Sequence, residues 1–372
     1  MTNWYLIYAY ALGLSFVVSA VLTSVMRRAA MRWRILDHPG ERKMQQSPMP
    51  LLGGVAIFAT FNLVIFVNLL LLKPVRLFGF DWLELHVFSF LGGDVKWKLL
   101  GLSLGGCVMF ALGLVDDLKA LRPEAKLAGQ IAAALIVVLS GIRLDLFIPD
   151  VWDSVWTVRL VSGLATMLWI ILMTNAMNFL DNMDGLCAGV SVIAAVSMFV
   201  SLAPQDTFVC VLLAVFAGAA AGFLYHNLSP ARIFMGDSGA LFCGYVLAVA
   251  PVLATFYTEG SPSRVAVLAP LVALSVPLFD TGGVIFLRWR SGESIMKGDK
   301  RHFSHRLVAA GMTPRRAVEF IFLVTAVTGL GAVLLRQLDL WGSMIILAQV
   351  AGIFGLIVLL MNVNHNKNRP SS

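Results

Sequence analysis

Charge is what this sequence has least of. Only 13% of its 372 residues are Asp, Glu, Lys or Arg, against about a quarter in a soluble domain, while 59% are hydrophobic. With a mean hydropathy of +0.83, that balance excludes an ordinary soluble fold. Cysteine is scarce as well. Cys107, Cys187, Cys210 and Cys243 lie in or beside apolar segments without CxxC or Cys/His spacing, which excludes a disulfide framework or a zinc module and makes them small core residues. No basic stretch precedes the first apolar run, and Arg27 and Arg28 follow it; a cleaved signal peptide has the opposite order, so this run is a retained span. There is no repeat at a fixed period and no linker long enough to separate domains, so residues 1–372 read as one membrane domain.

What is present is a series of runs long enough to cross a hydrocarbon core about 30 Å thick, which takes roughly 20 apolar residues per helix. They lie at about Tyr5–Met26, Leu51–Leu72, Leu99–Val115, Ala125–Gly141, Leu160–Met177, Leu186–Ala203, Phe208–Tyr225, Gly239–Thr258, Val265–Leu287, Ala317–Leu335 and Trp341–Met361. Pro50, Pro123, Pro204 and Pro230 fall between runs, where a missing backbone N–H costs little. Pro270 and Pro277 fall inside the ninth and predict a kink there.

Alternate loops divide the 28 Lys and Arg residues into twenty on one side and eight on the other. By the positive-inside rule the richer side is cytosolic. The expectation is an all-α, polytopic transmembrane helical bundle of about 11 spans, with the N-terminus outside and the C-terminus cytosolic. The net charge of +7 sits in loops, where orientation and anionic headgroups account for it; no nucleic-acid partner is implied. The stretch from Lys73 to Lys98, with Asp81, Trp82, Glu84 and Trp97, reads as external and interfacial.

Carboxylates beside a bilayer are costly and mark function. Asp116 and Asp117 end the third run, Asn178, Asp181 and Asp184 follow the fifth, and Asp237 sits between the seventh and eighth, all on the cytosolic side. Adjacent ionised carboxylates repel unless a cation or basic partner stands beside them; Lys119 and Arg122 are the local candidates if the pair is only a solvated helix end. Asn175, Asn178, Asp181 and Asp184 recur at steps of three, one stripe if the helix continues, and a set of amides and carboxylates suits Mg2+, which takes hard oxygen ligands and keeps exchangeable waters. Gly236-Asp237-Ser238-Gly239 opens the eighth run. It reads as an N-cap, or as a helix start offering free N–H groups to a phosphate while Asp237 reaches a metal. The basic stretch around Arg301, His302, His305 and Arg306 has two histidines three apart but no matching Cys or His pair for zinc, and fits a pyrophosphate. In the first loop, Arg42-Lys43 leads to Pro48-Met49-Pro50 and to Gly53-Gly54, where backbone or ligand can approach closely.

Together, Arg42-Lys43 with Pro48-Met49-Pro50 and Gly53-Gly54, Gly113-Leu114-Val115-Asp116-Asp117 with Lys126, Asn175-Ala176-Met177-Asn178 through Asp184-Gly185, Met235-Gly236-Asp237-Ser238-Gly239, and His302 to His305 resemble the polyprenyl-phosphate N-acetylhexosamine-1-phosphate transferase family, in order. The resemblance implies transfer of a sugar-1-phosphate from a UDP-N-acetylhexosamine to undecaprenyl phosphate, with release of UMP. It also implies Asp237 and Asn178 as ligands of Mg2+, with Mn2+ as a substitute, and Asp116 and Asp117 on the lipid-phosphate side. Lys126 would stand near a phosphate, Asp181 and Asp184 near the nucleotide, and His302 and His305 on the pyrophosphate, with Lys43, Asn175, Arg301 and Arg306 completing the substrate set. The proline-rich first loop looks more like the N-acetylglucosamine-type enzymes than the muramoyl-pentapeptide transferase, and His302-Phe303-Ser304-His305 departs from His-x-His-His by its Ser304. A homodimer is compatible with the pattern. The rival class, a secondary transporter, would place its carboxylates near mid-span rather than at span ends.

Overall fold

In hydrocarbon every backbone N–H and C=O must find its partner within the segment, so the apolar runs form helices. The computed structural model describes residues 4–38, 47–71, 95–144, 154–203, 206–254, 262–293 and 301–367. The helices are α1 (Trp4–Trp33), α2 (Gly53–Leu71), α3 (Val95–Leu118), α4 (Pro123–Leu139), α5 (Val155–Leu180), α6 (Leu186–Leu202), α7 (Thr207–Asn227), α8 (Gly236–Leu253), α9 (Ala269–Ala273), α10 (Ser275–Ser291), α11 (Phe303–Ala309), α12 (Pro314–Leu335) and α13 (Leu340–Lys367). A 3-10 turn over Arg264–Leu268 leads into α9. The strands are two-residue pieces, β1 (Leu36–Asp37) and β2 (Met49–Pro50), paired antiparallel.

The protein is an integral multi-pass membrane protein of all-α class. Among the described residues seven helices (α1, α3, α5, α7, α8, α12 and α13) are long and apolar enough to span, and the bent pair Arg264–Ala273 plus Ser275–Ser291 makes an eighth if it is counted as one span. Leu186–Leu202 (α6) is a shorter apolar helix, and the Gly53–Asn68 stretch of α2 is apolar as well. The described part of each of the eleven runs read from the sequence lies largely on a helix or on the bent pair, and among the described residues seven or eight meet the length and hydropathy of a span. The kink predicted from Pro270 and Pro277 is a 71° bend at Leu274. Pro277 has no N–H to return to the carbonyl of Ala273, so the helix breaks just before it.

The core centres on α8, whose residues from Ser238 to Pro251 are all buried. It packs against α3 and α5, with α2 and α6 alongside, while α1 lies on α7 and α12 on α6. Outer faces are greasy: Leu160, Leu164 and Leu168 follow one another at helical spacing on α5, each 58–69% exposed. In water such a patch would aggregate; against lipid it needs no cover. Cys187, Cys210 and Cys243 are buried, as expected of core residues, but Cys107 faces outward from α3, because its position on that helix turns toward the lipid side.

Candidate functional site

One end of the bundle gathers four segments that are far apart in sequence, and backbone geometry explains how. Gly53 and Gly54 donate N–H bonds to the carbonyls of Phe234 (3.0 Å) and Met235 (2.9 Å), and Phe234 N–H donates to Pro50 O (2.9 Å). The start of α2 is thus stitched to the loop that opens α8. The helices can press this close only because both lack side chains at the contact. A Cβ at Gly54 would stand 2.2 Å from Gly239 N, and one at Gly113 would stand 2.5 Å from Asp237 O and Ser238 N. The close approach read into Gly53-Gly54 is therefore to backbone.

Gly236 takes φ +72°, a left-handed conformation natural to glycine, and turns the chain into α8 beneath Asp117. Asp117 Oδ1 accepts the Asp237 N–H (2.7 Å) and Oδ2 accepts the Ser238 N–H (3.0 Å). This corrects the expectation that the helix start offers free N–H groups to a phosphate: a carboxylate from α3 already satisfies two of them, and its charge complements the positive end of the helix.

Asp116 turns the other way. It accepts the Leu121 N–H (2.7 Å) and pairs with Lys126 Nζ at 2.9 Å, so its partner is Lys126 rather than Lys119 or Arg122. The same ammonium lies 2.6 Å from Asp237 Oδ2 and donates to Asn178 Oδ1 at 3.0 Å, while Asn178 Nδ2 donates to Asp237 Oδ1 (2.8 Å). Asp116, Asn178 and Asp237, from α3, α5 and α8, thus converge on one cation, the Lys126 ammonium of α4. Their side chains are partly buried, Lys126 17% and Asp237 35% exposed, so the field is strong yet the cluster stays open on one side.

The polar stripe of the fifth run is shorter than its spacing suggests, because α5 ends at Leu180 and Gly185 turns the chain at φ +76°. Asn175 turns inward, trading amide bonds with the buried Gln130 (2.8 and 3.2 Å) and clamping α5 to α4. Asp184 Oδ2 accepts the Ala231 N–H (3.0 Å), holding the loop before α8. Asp181, at the helix end, makes no side-chain hydrogen bond among the described residues. Burial first, and then the negative charges of Asp237, Asp117 and Asp184, push its carboxyl up to about 8. So much crowded negative charge suits an added cation.

The basic segment docks on the same end. Ser304 Oγ donates to Asn182 Oδ1 (2.6 Å), and the His302 ring packs 5.8 Å from Phe179, the neighbour of Asn178. Arg301 is paired with Glu293 and lies 3.4 Å from Ser291 Oγ. His305 and Arg306 lie on α11, where burial lowers the Arg306 guanidinium against the opposing pull of Asp280. Lys43 and Arg42 lie outside the described residues, as do Lys297, Lys300 and most of the Lys73–Lys98 stretch.

Among the described residues no three His, Cys, Asp or Glu side chains form a metal cage. The donor set still fits a hard cation that keeps much of its water shell: the Lys126 ammonium already sits among Asp237 Oδ2, Asn178 Oδ1 and Asp116 Oδ2, a stand-in for such an ion. Sequence reasoning passed over three residues. Asn227 ties Gly185 N–H to Ile233 O, Gln130 clamps Asn175, and Asp280 is a buried acid in α10. Only Asp280, a lone carboxylate within an apolar run, carried a signal.

The family profile described as glycosyl transferase family 4 matches residues 99–255, the stretch from α3 through α8 that contains the whole Lys126 cluster. The chain is 33% identical over 370 residues to the decaprenyl-phosphate N-acetylglucosaminephosphotransferase of Mycobacterium tuberculosis (strain ATCC 25618 / H37Rv), covering 92% of this chain and 87% of that one. It is 28% identical over 361 residues to the "Probable undecaprenyl-phosphate N-acetylglucosaminyl 1-phosphate transferase" of Bacillus subtilis (strain 168), covering 96% and 94%. It is 24% identical over 325 residues to the undecaprenyl-phosphate alpha-N-acetylglucosaminyl 1-phosphate transferase of Escherichia coli (strain K12), covering 84% and 79%. The chain belongs to glycosyl transferase family 4, a membrane phosphosugar transferase family in which these relatives act on polyprenyl phosphates.

Proposed function

We infer that the protein transfers N-acetylglucosamine-1-phosphate from UDP-N-acetylglucosamine to undecaprenyl phosphate, releasing UMP, as the first membrane step of cell-surface glycan synthesis. The observation that carries this reading is the convergence of Asp116, Asn178 and Asp237 on one cation at the end of the bundle where the basic His302 segment docks. Transfer between two polyanions needs charge neutralisation and in-line placement more than a special nucleophile.

Asp237 and Asn178 are the residues that would hold Mg2+, which when bound supplies charge neutralisation on the pyrophosphate. Lys126, freed from its carboxylates, presents a charge to a phosphate oxygen. Asp117 keeps α8 in register, so that Asp237 is held rather than floppy. Arg301, His302, His305 and Arg306 gather charge on the leaving UMP. Asp116, beside Lys126, accepts the proton of the lipid phosphate if one remains.

A transfer assay with labelled UDP-N-acetylglucosamine and undecaprenyl phosphate, run beside a panel of other UDP-sugars, tests this directly. Lipid-linked sugar phosphate should form with N-acetylglucosamine, and excess chelator should stop it while leaving the protein folded. Full activity in chelator would remove the metal, and a different preferred sugar would move the assignment.

The site is read as cytosolic, from the distribution of Lys and Arg. In a cysteine-free background, cysteine at Ser154 should react with an impermeant maleimide added outside spheroplasts, and cysteine at Ala309 only after permeabilisation. Both positions are exposed. The reverse pattern would invert the topology and the site with it.

A further inference from the structure

We propose that Asp280 is a positioning residue for the nucleotide-sugar end of the site: its carboxylate fixes the orientation and tautomer of His302, so that Nε2 is the nitrogen presented to the pyrophosphate. This rests on the functional reading above. Asp280 is 2% exposed, on a helix otherwise read as spanning, and nothing in the reaction so far uses it. A carboxylate so placed is costly unless paired.

Its two oxygens are both committed to the segment 302–303. Oδ2 lies 2.9 Å from His302 Nδ1, and Oδ1 accepts the Phe303 N–H. An ionised carboxylate has no proton to give, so Nδ1 is the donor and Nε2 is the free nitrogen of the ring. Nε2 makes no hydrogen bond among the described residues. The ring is also fixed from the other side, against Phe179, beside the Asn178 that contacts Lys126 and Asp237. Phe303 is wedged between Phe279 and Phe320, at 5.5 and 6.5 Å, so the bond from Asp280 acts on a segment that is already seated. Arg306 feels the same carboxylate, which places one negative charge behind two of the groups proposed to hold the pyrophosphate.

The competing account is that Asp280 merely caps the short helix α11. Steady-state kinetics on the full-length protein separate the two. Asp280→Asn keeps an oxygen for the Phe303 N–H but turns an amide N–H toward Nδ1, reversing the tautomer. KM for UDP-N-acetylglucosamine should rise roughly tenfold, as for other outer-shell partners of ligating histidines, with KM for undecaprenyl phosphate unchanged. Asp280→Asn with His302→Ala should be no worse than His302→Ala alone. Wild-type kinetics in Asp280→Asn, equal losses toward both substrates, or additive effects would overturn the proposal. Should Asp280→Asn not fold, His302→Gln and His302→Asn decide it. The Gln amide reaches the place of Nε2 and the Asn amide that of Nδ1, so Gln should retain more UDP-N-acetylglucosamine affinity, and the opposite order overturns the assignment. A wild-type chain that transfers no sugar phosphate overturns the functional reading and this inference together; the other outcomes, on an active wild type, concern Asp280 alone.

Discussion

Asparagine in place of Asp237 should lower sugar-phosphate transfer about a thousandfold or more in a chain that still inserts and folds. The residue does two jobs at once. Its Oδ2 meets the Lys126 ammonium at 2.6 Å and its Oδ1 accepts from Asn178, so it is the hub through which α4, α5 and α8 share charge. An amide of the same shape preserves packing but loses the negative charge and can turn an N–H toward the ammonium. A metal that stabilises developing charge contributes several kcal/mol, and about 4 kcal/mol corresponds to a thousandfold in rate. Backbone support survives the change, because Asp117 holds the Asp237 N–H independently of the side chain. Thermal unfolding in detergent should therefore move little while the rate collapses. Retention of more than a tenth of wild-type activity would show that Asp237 is not the charge-bearing ligand.

Alanine at Gly54 or Gly113 should be nearly as damaging, for a reason that has nothing to do with charge. At either position the new methyl would stand 2.2 to 2.5 Å from backbone atoms of α8, and backbone cannot rotate away as a side-chain tip can. Overpacking a tight core costs about 1–3 kcal/mol when the surroundings can shift. Here the shift would fall on the turn that carries Asp237, so both the melting temperature and the rate should drop, the rate by roughly a hundredfold, as expected for misplacing a reacting group by about an ångström. Gly13→Ala is the control: a Cβ there meets nothing within 4 Å, and in a helix it should be neutral or slightly stabilising. Equal behaviour of Gly113→Ala and Gly13→Ala would mean that the contact between α3 and α8 does not set the site.

Helices and site residues were legible to different depths. Hydropathy located the apolar runs because in lipid the backbone leaves no other choice, and the bend at Leu274 was readable from Pro270 and Pro277. Spanning length was less readable, since α6 is apolar but short. Residue type and position singled out Asp116, Asn178 and Asp237, and the family resemblance added Lys126; the fold brings the four together. They could not say which of the adjacent aspartates meets the lysine. That division depends on Gly113 seating α3 against the first turn of α8, so that Asp117 faces the N–H groups and Asp116 faces away. Nor could a three-residue rhythm reveal that α5 stops at Leu180, because the stop depends on Gly185 and on Asn227 reaching over from α7. Asp280 was visible as a lone acid, but its partner His302 lies 22 residues away and becomes its neighbour only once α10 and α11 are folded.

The Lys126 ammonium among Asp116, Asn178 and Asp237 also bears on how the protein is made. A pocket of bare carboxylates would repel itself during membrane insertion and would need an ion in hand before the helices could close. Because the chain carries its own counter-charge, α3, α4, α5 and α8 can close on one another without leaving an unpaired negative charge between them, and the polypeptide supplies from within itself what its final packing requires.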